Sequence, residues 1–285
     1  MPKICDLIAA ILGPSCAWAL YTGPRPLTDI EAAHVLRPEV YNSSLLESTF
    51  SRVDTKARVS HVINSWQAVV KVTSVAGDIV EAGVYRGGLS MAMAWAEMAA
   101  HPGFRRHPRR TLWLYDTFEG LPQPRAAVDG KKATDKWASA GNTSRYGSNK
   151  HAFSHGSPHI DNNGTVRWNY GPLDEVRKNM ASTGYPMSHV RLVKGKVEDT
   201  LTVEANLPER IAILRLDTDW FDSTIAELDL LFPRLSSGGM LLVDDYCSWA
   251  GARKAMDMWL RKNRALLRED SIVSHGEQCF QATKK

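Results

Sequence analysis

Cysteine is scarce in this chain and follows no pattern. Its 285 residues hold four, Cys5, Cys16, Cys247 and Cys279; no two form a C-x-x-C pair, and no histidine spacing around them suits zinc. That argues against a disulfide framework or a zinc module and makes a reduced, cytoplasmic protein the expectation. Long apolar runs are lacking too, since no stretch approaches the roughly 20 apolar residues that span a bilayer. The most apolar N-terminal stretch, 7–21, follows Lys3 and contains Ala17-Trp18-Ala19, but Asp6 and Gly13-Pro14 interrupt it, so a cleaved leader is the lesser reading. Excess charge is also missing. A net charge of +4 is too mild to argue for nucleic acid. The one basic cluster, Arg105-Arg106-His107-Pro108-Arg109-Arg110, reads as a solvated turn before a strand. What remains is 44% hydrophobic and 23% charged, enough for a soluble domain with a real core, and the length fits one large α/β domain or two small ones.

Two apolar runs end abruptly in acid. Ile211-Ala212-Ile213-Leu214-Arg215-Leu216 leads into Asp217-Thr218-Asp219, and Met240-Leu241-Leu242-Val243 into Asp244-Asp245. Each reads as a buried strand, and between them lies one helix and a Gly turn, the length of a single parallel crossover. Such a crossover sets both strand ends on one sheet edge, where Asp217, Asp244 and Asp245 can converge. Three converging carboxylates need a positive partner, and a hard divalent cation is the simplest.

The rest of the chain alternates. Strands are expected over 78–83, 111–116 and 190–195, with a terminal pair near 271–273 and 279–281, which makes seven in all. Helices are expected over 89–99 and 173–183, from a cap at Thr224 to Pro233, over 252–266, and after Asp54, where Val59, Val62, Ile63, Trp66, Val69 and Val70 recur at helical spacing. This pattern predicts a doubly wound, mostly parallel α/β sheet with helices on both faces. Thr28-Asp29-Ile30-Glu31 is a capping box, so 1–53 reads as an N-terminal helical segment ahead of a domain over 54–285. Residues 121–170 are polar and Gly-rich, contain His151, His155 and His159, and follow the second strand's ligand-binding edge. They read as a lid without elements of its own.

The loop Glu81-Ala82-Gly83-Val84-Tyr85-Arg86-Gly87-Gly88-Leu89-Ser90 joins the first strand to its helix. It fails the dinucleotide fingerprint G-x-G-x-x-G, because Tyr85 stands where the second glycine would let a pyrophosphate approach. A looser loop suits a nucleoside without phosphates. Asp116, at the next strand end, can hold ribose hydroxyls, and Glu81 can accept from a ligand ammonium. A cofactor with a ribose, an ammonium and no phosphate is S-adenosylmethionine. Candidate contacts are Glu81, Gly83, Val84, Tyr85, Gly87, Ser90, Asp116, Thr117 and Phe118, with Lys196 and Val197 after the third strand flanking the adenine. Asp219 and Asp222 sit near the same edge. Ser223 and Thr224 read as helix caps, and Trp168, Trp220 and Trp249 as either core or acceptor contacts.

Five stretches resemble the macrocin O-methyltransferase family: Val80-Glu81-Ala82-Gly83-Val84-Tyr85-Arg86-Gly87-Gly88, Tyr115-Asp116-Thr117-Phe118-Glu119-Gly120-Leu121-Pro122, Leu214-Arg215-Leu216-Asp217-Thr218-Asp219, Asp222-Ser223-Thr224, and Gly238-Gly239 through Val243-Asp244-Asp245-Tyr246. The family includes enzymes that methylate sugar hydroxyls on macrolide and aminocoumarin antibiotics. The resemblance, over about 55–265, implies a class I methyltransferase, Rossmann-like fold. It also implies S-adenosylmethionine as donor, a required magnesium ion, and metal ligands at Asp217, Asp244 and Asp245. The partner is then a small-molecule acceptor, a glycoside or polyol, with no nucleic acid or membrane. A homo-oligomer remains possible. A metal lowers the pKa of a nearby hydroxyl, so Asp217 is expected to ligate magnesium and help accept the acceptor's proton.

Other classes stay open at this point. A metal-dependent phosphatase could use Asp217 and Asp219, though Phe221 stands where that scheme wants Thr or Val. A glycosyltransferase could use Asp-x-Asp. A non-catalytic cofactor-binding protein of the same fold is a third. The first two leave the glycine loop without a task, and the last leaves costly buried acids unexplained.

Overall fold

Largely apolar runs of four to nine residues form the strands, and the register between them decides where the acids arrive. The structure, a computed structural model, describes residues 59–100, 109–140, 159–160, 166–274 and 279–285. The capping box at Thr28, the apolar N-terminal stretch, His151 and His155 fall outside these residues, as do the side chain of His159 and residues 105–108 of the basic cluster. The described elements begin with α1 (Val59–Lys71), β1 (Asp78–Ala82), α2 (Gly88–Ala100), β2 (Leu112–Asp116) and α3 (Ala126–Ala140). They continue with α4 (Leu173–Ser182), β3 (Val190–Lys194), β4 (Ile211–Leu216), α5 (Phe221–Leu230), β5 (Leu235–Val243), α6 (Ala250–Asn263) and β6 (Phe280–Thr283).

The sheet runs β3-β2-β1-β4-β5-β6. The first five strands are parallel and β6 is antiparallel to β5. Chain order reverses between β1 and β4. Right-handed crossovers therefore send α2 to one face and α5 to the other, and the loops after β1 and β4 part at a crevice. Register places Ala82 beside Leu216 and Leu216 beside Val243, so Gly83, Asp217 and Asp244 leave the sheet at one level. β4 is buried along its whole length, as a central parallel strand should be. α2 is buried from Leu89 to Glu97, which suits a helix that is apolar nearly all round.

Three expectations change. Among the described residues the sheet has six strands, not seven. The outer member of the expected terminal pair is a 3-10 turn (Glu269–Ser271) followed by a single bridge from Val273 to Gln281. There a side chain replaces a ladder bond, since Ser271 Oγ accepts the Thr283 N–H at 2.9 Å. The stretch 121–170 does hold elements of its own: α3, kinked at Gly130 (φ 79°), and a two-residue antiparallel pair, 159–160 with 166–167. And Arg110 is not solvated. It is buried, donates to the carbonyls of Val72 (2.7 Å), Val75 (2.8 Å) and Gly77, and faces the buried Glu97 at 3.3 Å. It thus ties the α1–β1 turn to α2.

Candidate active site

The crevice at the β1/β4 reversal opens into a cavity of about 620 Å³, within the usual size of small-molecule sites. Its floor is acidic. Asp217 follows β4, Asp244 and Asp245 follow β5, and one ligating oxygen of each lies within 4.8 Å of the others. Three carboxylates this close together can close onto one small hard cation, which binds its oxygen ligands at about 2.1 Å. Burial, reinforced by Asp244, pushes Asp217 up to about 6 even though Arg215 opposes the shift. Burial also holds Asp245 well above the usual carboxylate range, with Asp219 and Asp217 adding to it. Asp245 lies just behind the cavity wall and accepts the Asp219 N–H at 2.8 Å. That bond steadies Asp219 in its left-handed conformation, φ 68°.

The positive partner expected among the acids is in part a side chain of the protein. Arg215, 2% exposed, donates to Glu81 (2.9 Å) and Asp217 (3.0 Å) and lies 3.3 Å from Asp244. One guanidinium still leaves Glu81, Asp217, Asp244, Asp245 and Asp219 in excess. The all-oxygen donor set fits a hard divalent cation. His61 of α1 adds a contact from Nδ1 to Asp244 at 3.1 Å. The sequence reading missed both residues: Arg215 looks like an interruption in an apolar strand, and His61 sits on a helix read only for its apolar stripe.

Of the expected donor contacts, Glu81, Gly83, Val84, Tyr85, Asp116, Thr117, Lys196 and Val197 line the cavity together with Asp217 and Asp244. Gly87, Ser90 and Phe118 do not reach the wall, and each serves it from behind. Gly87 (φ 89°) closes a turn onto Val84 O at 2.9 Å. Ser90 Oγ donates to Glu81 Oε2. The N–H of buried Phe118 donates to Asp116 Oδ1 at 2.8 Å. Asp116 is busier than expected, because its Oδ2 also accepts the N–H groups of Val84 (2.8 Å) and Tyr85 (2.9 Å), fastening the glycine loop to β2. Both Glu81 oxygens are engaged as well, and burial pushes its carboxyl up to about 7 against the pull of Arg215.

The far wall is aromatic. Trp168, Trp220 and Trp249 pack with ring centroids 5.2 to 6.1 Å apart. Trp168 and Trp249 face the cavity and Trp220 backs them. Lys132 lies 4.9 Å over the Trp249 ring, and Lys136, also on the wall, lies 5.8 Å from it. Both lysines come from α3, so the stretch read as a lid supplies part of the site. Ser223 and Thr224 are not caps: α5 starts earlier, at Phe221, and their hydroxyls donate back to Trp220 O at 3.1 and 2.7 Å. The Phe221 N–H is capped instead by Asp129 Oδ1 of α3 at 2.8 Å. Asp222 pairs with Arg125 at the protein surface and does not line the cavity.

The sequence pattern of the Macrocin-O-methyltransferase (TylF) family matches residues 49–155 and 158–272. The chain belongs to the macrocin O-methyltransferase family. Among the family's relatives, it is 33% identical over 177 residues to the 8-demethyl-8-(2,3-dimethoxy-alpha-L-rhamnosyl)-tetracenomycin-C 4'-O-methyltransferase of Streptomyces olivaceus, covering 62% of this chain and 56% of that one. It is 29% identical over 191 residues to the demethyldecarbamoylnovobiocin O-methyltransferase of Streptomyces niveus, covering 66% and 60%. The aligned part thus spans less than two thirds of these relatives. Among solved structures, the O-methyltransferase NovP superposes with a TM-score of 0.63 at 22% identity, over 99% of this chain and 98% of that one. CalS11, a calicheamicin methyltransferase, gives 0.51 at 17%, over 99% and 91%. These likenesses carry the fold, that of class I methyltransferases.

Proposed function

We propose that this macrocin O-methyltransferase family member is an S-adenosylmethionine- and magnesium-dependent O-methyltransferase acting on a hydroxyl of a sugar or glycosylated natural product. The observation that carries the reading is the meeting of Asp217, Asp244 and Asp245 beside the Gly83 loop, with Asp217 and Asp244 on the wall of a single cavity at the sheet's reversal point and Asp245 just behind them. The relatives named above, whose names give a rhamnosyl-tetracenomycin and demethyldecarbamoylnovobiocin as their acceptors, support a glycoside as acceptor here.

Asp217, Asp244 and Asp245 would hold the magnesium ion. The Gly83 loop, Asp116 and Thr117, with Lys196 and Val197, would hold the donor. S-adenosylmethionine supplies an electrophilic methyl group, and magnesium, when bound, makes a nearby hydroxyl more acidic. Asp217, whose carboxyl burial and Asp244 hold above the usual range, would accept the hydroxyl proton. A carboxylate offers about four lone-pair sites, and Arg215 takes one of them. The Trp168 and Trp249 wall shields the acceptor from water and positions its ring. Holding donor and acceptor in line accounts for the rest of the acceleration.

The test is incubation with labelled S-adenosylmethionine, magnesium and a panel of glycosides. A chelator should stop turnover while calorimetry still detects donor binding. Asp217→Asn should abolish methyl transfer and leave donor affinity within a few-fold; retention of more than a tenth of the activity would overturn the ligand and base assignment. One observation favours a second reading of the base. Asp217 Oδ2 is held by Arg215, and Asp219 lines the same cavity. If Asp219→Asn lost turnover but kept metal binding, the proton would pass to Asp219 and Asp217 would be a ligand alone.

A further inference from the structure

Resting on that metal reading, we propose that Arg215 is a positioning residue that joins the strand leading into the methyl-donor loop to the metal acids, so that Glu81, which touches no metal, sets the metal affinity. Register places Arg215 beside Glu81 on β1, and two residues on, on the same face of the strand, comes Asp217. The guanidinium reaches in both directions. Its Nη1 donates to Glu81 Oε1 at 2.9 Å, and its Nη2 donates to Asp217 Oδ2 at 3.0 Å and lies 3.3 Å from Asp244 Oδ1. Arg215 and Glu81 are 2% and 1% exposed, so water cannot substitute for either contact.

The chain of contacts continues at both ends. Ser90, in the first turn of α2, donates to the other oxygen of Glu81, which fixes that carboxylate relative to the loop. At the far end His61 Nδ1 meets the same Asp244 oxygen that faces Arg215, at 3.1 Å. One oxygen of Asp217 and one of Asp244 are thus gripped from behind, and the second of each is left for an ion. Two bare carboxylates at this separation would turn away from each other. Nη2 sits against both, and the planar fork fixes that nitrogen relative to Nη1 on Glu81, which a single ammonium cannot do. Supporting groups of this kind orient metal ligands, and their loss costs roughly 10- to 100-fold in metal affinity. With both oxygens engaged, Glu81 acts on the chemistry through Arg215.

The measurement is Mn²⁺ binding to the full chain without donor, read as free Mn²⁺ by electron paramagnetic resonance. Asp217→Asn should weaken binding more than tenfold; if it does not, the metal reading fails and takes this inference with it. Arg215→Lys keeps the charge and loses the fork, and should raise the Mn²⁺ Kd by about 10- to 100-fold in protein whose circular dichroism is native. Glu81→Gln should raise it at least about fivefold, and this arm decides alone if Arg215→Lys does not fold. The double variant should match Arg215→Lys within about twofold, since both changes break one link. Unchanged Mn²⁺ affinity in Arg215→Lys or Glu81→Gln, or losses that multiply in the double variant, would overturn the inference while leaving the metal site standing.

Discussion

Gly83→Ala tests whether the donor loop and the Asp217 loop are in direct backbone contact. Gly83 has φ +85°, and a Cβ there would lie 1.8 Å from the carbonyl oxygen of Asp217 and 2.5 Å from its carbonyl carbon. Both obstacles are backbone, so no side chain can swing aside. Short hydrogen bonds lock the position: Asp217 N–H to Ala82 O at 2.8 Å and Gly83 N–H to Tyr115 O at 2.9 Å. The left-handed conformation costs a non-glycine residue about 1–2 kcal/mol, and forcing an extra carbon into a packed site costs about 1–3 kcal/mol. Together they predict a loss of about 2–5 kcal/mol. Gly184→Ala is the control, because Gly184 has φ +80° with nothing within 4 Å of the added carbon. It should lose only the conformational part. Urea unfolding gives both values, and calorimetry gives donor affinity. The clash should cost Gly83→Ala at least about 1 kcal/mol more than Gly184→Ala, with weakened donor binding in the first variant alone. Equal losses, or intact donor binding in Gly83→Ala, would refute the contact.

Asp129→Ala should destabilise the protein by about 1–3 kcal/mol in thermal unfolding, because buried Asp129 accepts both the Phe221 N–H and the Arg125 N–H; Asp129→Asn, which keeps an acceptor oxygen, should recover part of it, and a loss under about 0.5 kcal/mol in the alanine variant counts against the cap. Glu227 is buried with Oε1 unpartnered, and burial raises its pKa well above the ordinary value, only partly offset by Thr218 Oγ1 at 3.2 Å. The folded state therefore keeps the proton to higher pH than the unfolded chain, so the stability this group contributes is full at acid pH and declines as pH rises. Glu227→Gln should melt above wild type at pH 8, with the gap shrinking toward pH 5; a gap independent of pH contradicts the assignment.

The chain's own order of residues was enough for the parallel scaffold and the placement of its acids. Apolar runs ending in Asp217 and in Asp244-Asp245, spaced by one crossover, leave little freedom, since parallel strands with a right-handed link must end on one edge. The glycine loop was legible for a similar local reason: a chain turning from strand to helix under a ligand needs residues without a Cβ. Tertiary structure decided which groups surround those acids. Arg215 and Glu81 are 134 residues apart in sequence, and only strand register makes them neighbours. The cap of α5 comes from Asp129, 92 residues before Phe221, so no local capping signal marks the helix start, and Thr224 imitates one. Asp116 was identified by its place at a strand end, but its hold on the Val84 and Tyr85 N–H groups depends on how the β1 loop folds across β2. Periodicity and punctuation are short-range properties of a chain. Ion pairs, caps and clefts are made wherever the sheet brings distant segments within about 3 Å of each other, and that distance has no trace in the order of the residues.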